Sequence, residues 1–168
     1  MKAKGLIILV ILAALLMSCF TGCQSSSSLE IGKSAPDFNL KDLNGQSISL
    51  RSLHGKYVII NYWSTSCSPC VSEMPHMQEF FDEMDKDKIA LLMINGGESE
   101  DAVKRFFNDN NFTMPVLLDS KYSFAEKYNI RYFPTTYFVD PDGVFRLSVV
   151  GAFKDKGALE RKLAEIMQ

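Results

Sequence analysis

The stretch YWSTSCSPC, from Tyr62 to Cys70, decides how the rest of the sequence is interpreted, because it holds two cysteines three positions apart. A Cys67–Cys70 disulfide would close only four residues, and loop entropy then contributes about 2 kcal/mol, which is little for a structural crosslink. A structural zinc site usually needs four Cys or His ligands. Apart from its cysteines, the chain offers only His54 and His76. The motif therefore favours a redox pair over a structural disulfide or a metal site.

The residues around the motif place Cys67 at a junction between a strand and a helix. The preceding run KYVIINYW, residues 56–63, is apolar and β-branched, which is typical of a strand buried on both faces. Pro69 suits the first turn of a helix. The N–H groups and partial positive charge at a helix N-terminus should lower the pKa of Cys67 below its free value of about 8.5. Cys70, one turn later, should lie under the helix within reach of Cys67, and this pattern predicts a thiol–disulfide redox site.

The first residues have the pattern of an export signal. Lys2 and Lys4 precede an apolar run from Leu6 to Met17. The run is shorter than the roughly 20 residues that a membrane-spanning helix needs. It also lacks the polar face that a buried core helix would show. We therefore expect a signal peptide, which places the mature protein outside the cytosol, where disulfides persist.

Two cysteines end this run, and each resembles the lipid-attachment cysteine of bacterial lipoproteins. Gly22 favours Cys23, whereas Leu16 favours Cys19, and we prefer Cys23. A secreted form without lipid is the alternative. The domain prediction is a lipoprotein signal peptide over 1–22, a serine-rich tether over 23–29 and a single folded domain over 30–168.

The composition of the chain is that of a globular protein. Of its 168 residues 46% are hydrophobic and 23% are charged, and the net charge is −2. Because no basic run occurs beyond the first residues, a nucleic-acid-binding surface is not expected. Asn44-Gly45 predicts an early hairpin. A helix is expected from about Ser68 to Lys86, kinked at Pro75. Alternating strand and helix patterns follow, then a hairpin around PDG and a final helix, which together predict an α/β sheet covered on both faces.

With these features the sequence resembles proteins of the thioredoxin fold and, among them, the ResA/TlpA-type thiol–disulfide oxidoreductases of the AhpC/TSA–Redoxin superfamily. The resemblance covers roughly Ile31 to Met167. It implies a central mixed β-sheet flanked by helices, an N-terminal β-hairpin, and a βα insert between KIALLMIN and MPVLLD. The matching stretches are GKSAPDFNLKDLNG, YWSTSCSPC, EMP, INGGESEDAVKRFF, MPVLLD, FPTTYFVDPDG and the closing helix.

The resemblance also implies roles for individual residues at the cysteine pair. Cys67 corresponds to the exposed nucleophile and Cys70 to the resolving thiol. Pro134 matches the proline that follows a cis peptide bond in this fold and faces the cysteines. The substrate-binding residues implied there are Trp63, Phe133, Pro134 and Thr135, and for Trp63 plain core packing is the alternative.

Glu73, one turn after Cys70, matches a carboxylate that this family places beneath the motif. If burial raises its pKa, it could move protons to or from Cys70. Without the resemblance, a helical glutamate would more often belong to a solvated face. Asn61 occupies the strand position where thioredoxin has a buried aspartate, which leaves Glu73 as the candidate for proton transfer. Ser66 and Phe133 depart from the residues common at their positions, which puts the family's usual substrates in doubt.

The function predicted is that of a lipid-anchored thiol–disulfide oxidoreductase at the extracytoplasmic face of the bacterial plasma membrane. It is expected to reduce disulfides in exported proteins, with a link to cytochrome c maturation implied by the resemblance. The expected electron donor is a membrane protein of the CcdA/DsbD type, and no metal or other cofactor is expected.

Three other functions fit the sequence less well. A peroxiredoxin-like peroxidase would need Pro and Thr where Ile60 and Ser64 stand. A copper-handling protein of the Sco type would need a C-x-x-x-C pair and a histidine after His76. A surface lipoprotein that only binds partners would be unaffected by Cys67→Ala.

Overall fold

A computed structural model describes residues 29–168 of the chain. The predicted signal peptide, both candidate lipidation cysteines (Cys19 and Cys23) and all but one residue of the tether lie outside these residues. The strands of the described part are β1 Asn39–Asp42, β2 Ser47–Ser49, β3 Tyr57–Trp63, β4 Ile89–Gly96, β5 Val116–Asp119, β6 Thr135–Val139 and β7 Phe145–Val150. The helices are α1 Ser68–Glu83, α2 Glu100–Asp109, α3 Ser123–Lys127, α4 Lys156–Ala164 and a short 3-10 helix, Leu50–Leu53. Between residues 29 and 168, no helix is long and apolar enough to cross a bilayer.

The strands form one mixed sheet in the order β2-β1-β5-β4-β3-β6-β7. The central strands β3, β4 and β5 are parallel, and β6 and β7 continue the sheet in antiparallel fashion. The predicted early hairpin forms β1 and β2, with Gly45 in its turn at a positive φ of 78°. The α/β prediction with helices on a mixed sheet is confirmed.

Strand β3 is buried on both faces because its alternate side chains enter two separate hydrophobic clusters. Ile59 and Trp63 pack on the side of α1. Ile60 and Tyr62 pack on the opposite side, against Phe124 of α3. This double burial is the reason that the strand reads as a continuous apolar run.

Helix α1 ends earlier than predicted, and helix α3 is short. Helix α1 contains Pro75 but ends at Glu83 rather than Lys86, because the chain turns at Asp85, whose carbonyl accepts hydrogen bonds from the backbone N–H groups of Lys88 and Ile89. Helix α3 has only five residues, since the buried carboxylate of Asp119 caps the backbone N–H groups of Phe124 and Ala125 and so fixes a late start.

The sheet topology brings four loops together at one end of the strands. Parallel strands β3, β4 and β5 all end there, and the loop with the cysteine motif follows β3 directly. Strand β6 runs the other way and pairs Thr135 with Tyr62, so the loop that ends at Pro134 reaches the same edge. We call this end of the sheet the cysteine edge.

Candidate active site

Cys67 and Cys70 are joined by a disulfide at the start of α1, with their Cα atoms 5.2 Å apart. Cys67 is the N-cap residue of the helix, and the backbone N–H of Cys70 donates to its sulfur at 3.2 Å. Cys67 is partly exposed, whereas Cys70 has no exposed surface and packs beside Met74 in the core. Only the sulfur of Cys67 can therefore be reached by a partner.

A carboxylate from the neighbouring strand holds the loop that leads into Cys67. Glu98, just after β4, accepts hydrogen bonds from the backbone N–H of Thr65, at 2.8 Å, and from the Thr65 hydroxyl. The side-chain amide of Asn95 also donates to Glu98. The sequence did not identify Glu98 as a site residue, since no local pattern links it to Thr65.

The peptide bond between Phe133 and Pro134 is cis, as predicted. The carbonyl of Pro134, which is itself buried, accepts a hydrogen bond from the backbone N–H of Gly151 at 2.9 Å. The ring of Phe133 stacks on Tyr62, with 5.2 Å between the ring centroids. The loop is thus held from β3 on one side and from the end of β7 on the other.

Glu73 is buried, with 1% of its surface exposed, and does not belong to a solvated face. Its Oε1 accepts a hydrogen bond from the amide Nδ2 of Asn61, and its Oε2 accepts one from the backbone N–H of Phe153, both at 2.8 Å. Burial raises the pKa of Glu73 from 4.5 to about 7, although both hydrogen bonds act in the opposite direction. A carboxyl group that can gain or lose a proton near neutral pH therefore lies one helical turn beyond Cys70.

Comparison with known proteins agrees with this geometry. Residues 31–148 match the model of the AhpC/TSA family. The thiol–disulfide oxidoreductase ResA of Geobacillus kaustophilus is 34% identical over 161 residues, which cover 95% of this chain and 92% of the relative. The chain belongs to the AhpC/TSA family and, within it, to the ResA-type thiol–disulfide oxidoreductases.

Solved structures with the same fold include two proteins of related chemistry. The exposed lipoprotein thioredoxin Etrx1 of Streptococcus pneumoniae is 28% identical, with a TM-score of 0.70 over 78% of this chain and 100% of the other. A putative thiol:disulfide interchange protein DsbE of Chlorobium tepidum is 25% identical, with a TM-score of 0.76 over 84% of this chain and 100% of the other. The names of these relatives, a thiol–disulfide oxidoreductase, a thioredoxin and a thiol:disulfide interchange protein, agree with a redox function for the cysteine pair.

Two predicted substrate-binding side chains are not available at the surface of this oxidoreductase. Trp63 has no exposed surface and packs against Phe106 and Phe107, so the prediction that it contacts substrate is not supported. Thr135 is 4% exposed, and its hydroxyl donates to the carbonyl of Tyr132. Of the predicted side chains, Phe133 alone presents a large area, with 42% of its surface exposed.

Exposed apolar side chains are concentrated at the cysteine edge. Among residues 29–168 six large hydrophobic side chains are exposed, and four of them lie at this edge: Tyr122, Tyr132, Phe133 and Val150. Of these four residues the sequence predicted only Phe133 as a site residue, because the exposure of the other three depends on where the strands end. In the same residue range, no group of three or more His, Cys, Asp or Glu side chains is arranged to hold a metal ion.

The burial of Glu73 predicts a pH dependence of stability. Its carboxyl ionises near pH 4.5 in the unfolded chain but near pH 7 in the folded one, so the unfolded state releases its proton first. The stabilising contribution is therefore complete below about pH 4.5 and is lost as the pH rises to about 7. In urea unfolding of the oxidised chain, the stability of the native sequence relative to Glu73→Gln should fall by about 3 kcal/mol across this window.

The matched control for this measurement is Glu126→Gln, because Glu126 is an exposed glutamate on α3. It should leave the pH profile of stability unchanged. A difference between the native sequence and Glu73→Gln that stays flat from pH 4.5 to 7 would show that the folded protein does not hold Glu73 protonated.

Proposed function

We propose that the protein is a reductase of disulfides in exported proteins, and the unequal exposure of its two sulfurs carries this proposal. In the dithiol form, the Cys67 thiolate attacks one sulfur of a target disulfide, and the other target sulfur leaves as a thiol after taking up a proton. Cys70 then attacks Cys67, which releases the second target thiol and leaves Cys67–Cys70 oxidised. Two electrons pass from the protein to the target.

The start of α1 supports Cys67 as the attacking group. The Cys70 N–H already points at the Cys67 sulfur, and a helix N-terminus favours negative charge at that position. The depth of Cys70 supports its role as the resolving thiol, since a target can approach only from the Cys67 side.

Glu73 supports the second step. Cys70 must lose its proton before it can attack, and it has no surface exposed to solvent. Glu73 is buried on the next turn of the same helix and is partly ionised at neutral pH. We assign it the role of accepting the Cys70 proton in the reductive direction.

The proposed location is the extracytoplasmic face of the plasma membrane, with lipid on Cys23. The leader pattern and the likeness to the exposed lipoprotein thioredoxin support this assignment. Electrons would come from a membrane thiol carrier of the CcdA/DsbD type, because an oxidising exterior supplies none. Apocytochrome c, which the resemblance to ResA implies, is one candidate among the exported targets.

A trapping experiment tests the reductase proposal. In the Cys70→Ser variant the mixed disulfide at Cys67 cannot be resolved, so exported proteins should accumulate as adducts that dithiothreitol releases. The control variant Cys67→Ser should form none. Recovery of no exported protein, together with failure of the reduced native protein to cleave insulin disulfides, would refute the proposal.

The exposed ring of Phe133 should matter for protein targets only. We expect Phe133→Ala to lower kcat/KM for insulin reduction at least fivefold, the loss of about 1 kcal/mol that marks an interface anchor. Its rate with hydroxyethyl disulfide, which is too small to span the cysteine edge, should be unchanged. Ile31→Ala is the control, because Ile31 is also exposed but adjoins Gly32, which is hydrogen-bonded to Phe145 at the end of β7 opposite the cysteine edge. Equal losses for both substrates would mean that Phe133 acts on the cysteines rather than on target binding.

The lipid anchor can be tested with a fatty-acid probe in cells. Cys23→Ala should abolish both incorporation of the probe and recovery of the protein in the membrane fraction, whereas Cys19→Ala should retain both. The reverse result would place the lipid on Cys19. If both variants stayed in the membrane fraction and the native protein incorporated no probe, lipid anchoring would be contradicted.

A further inference from the structure

The hydrogen-bond partners of Glu73 suit only one of its two protonation states. Both of its oxygens face N–H donors, one from Asn61 and one from the Phe153 backbone. An ionised carboxylate accepts both bonds. A neutral carboxylic acid must donate its hydrogen to an acceptor, and in this arrangement neither neighbour offers one.

The acceptor that a protonated Glu73 needs is present in the side-chain amide of Asn61. Asn61 is completely buried and uses both hydrogens of its Nδ2, one toward Glu73 and one toward Oγ1 of Thr136 at 3.0 Å. Its Oδ1 has no hydrogen-bond partner and is the one buried side-chain oxygen in residues 29–168 that lacks one. An unpaired buried acceptor typically costs about 1–3 kcal/mol, so its presence beside a proton-carrying group calls for an explanation.

We propose that Asn61 is a positioning residue whose side-chain amide rotates by a half-turn when Glu73 gains or loses its proton. A half-turn about the Cβ–Cγ bond exchanges Oδ1 and Nδ2 without changing the volume of the side chain, and this torsion of Asn is soft and roughly two-fold. After the half-turn, Oδ1 accepts one hydrogen bond from the Glu73 hydroxyl and another from the Thr136 hydroxyl. This inference rests on the proton-transfer role proposed above for Glu73.

The rotation would let both states of Glu73 keep a partner while α1 stays in place, and the Asn61 atom without one of these partners would change from Oδ1 to Nδ2. The groups that bond to Glu73 from β3 and from the loop before α4 are uncharged, and the Thr136 hydroxyl on β6 is uncharged as well. No charged side chain contributes to the pKa of Glu73. Cys70, on the same helix, is left as the titratable group that exchanges a proton with it. A carboxylate at position 61 would instead compete with Glu73 for the proton.

The rotation has a spectroscopic signature in the oxidised full chain, in which Cys70 does not titrate. Above the midpoint of Glu73 both amide protons of Asn61 are hydrogen-bonded, and below it neither is bonded to these partners. Both side-chain ¹H resonances should therefore shift together, with the same midpoint as the carboxyl ¹³C of Glu73. An amide that stays fixed would show a shift only for the proton facing Glu73, and that result would overturn the proposal.

Substitutions give a second readout that does not depend on the amide signals. Asn61→Leu removes the N–H donor from Glu73. A hydrogen bond to the ionised carboxylate is stronger than one to the neutral acid, so its loss destabilises the carboxylate more. The titration midpoint of Glu73 should therefore rise by about one pH unit, which is a tenfold increase in proton affinity. Thr136→Val should move the midpoint less, because the Thr136 hydroxyl is hydrogen-bonded to Asn61 and not to Glu73. An unchanged midpoint in Asn61→Leu would also overturn the proposal.

Tyr137→Phe is the matched control, since it deletes a buried hydrogen bond to the Tyr128 carbonyl on the opposite face of β6. It should leave the midpoint unchanged. These titrations use no substrate, so they can fail while disulfide reduction succeeds. Conversely, absence of any reductase activity would refute the proposed function and leave the amide titration intact.

Discussion

The hydrogen bond from the Cys70 N–H to the Cys67 sulfur joins the fold to its chemistry, because that sulfur is the N-cap of α1. Ser99 and Asp155 cap α2 and α4 in the same i to i+3 geometry with oxygen atoms. At α1 a sulfur takes that place, so the group that begins the helix is also the group to which we assign disulfide exchange. The end of a helix stabilises negative charge, so it favours the ionised form of a thiol at this position.

The sequence predicted best the features that arise from neighbouring residues. Strand β3 was recognised by its apolar run, the first hairpin by Asn44-Gly45, and the cysteine site by spacing and the following proline. The contact between Glu98 and Thr65 joins residues 33 positions apart and leaves no local trace. The short α3 likewise depends on the Asp119 carboxylate, which points away from its own strand into the next helix.

Trp63 has no exposed surface, for a reason that the alternation of side chains explains. The resemblance implies a place for it at the substrate cleft, with plain core packing as the alternative. The face of the strand decides instead: Trp63 points toward α1 and α2, while Tyr62 points to the side where Phe133 stacks. The exposed aromatic ring on this side is therefore that of Phe133, which comes from the proline loop and packs on Tyr62 of the motif strand.

The buried carboxyl group lies on α1 rather than on β3, and this placement fixes its distance from Cys70. Glu73 and Cys70 share one helix, three residues apart, so their separation does not change when the helix shifts against the sheet. A carboxylate on the strand would depend on that packing. With the uncharged Asn61 at the strand position, the sheet contributes a hydrogen bond to Glu73 but no second negative charge that would compete for its proton.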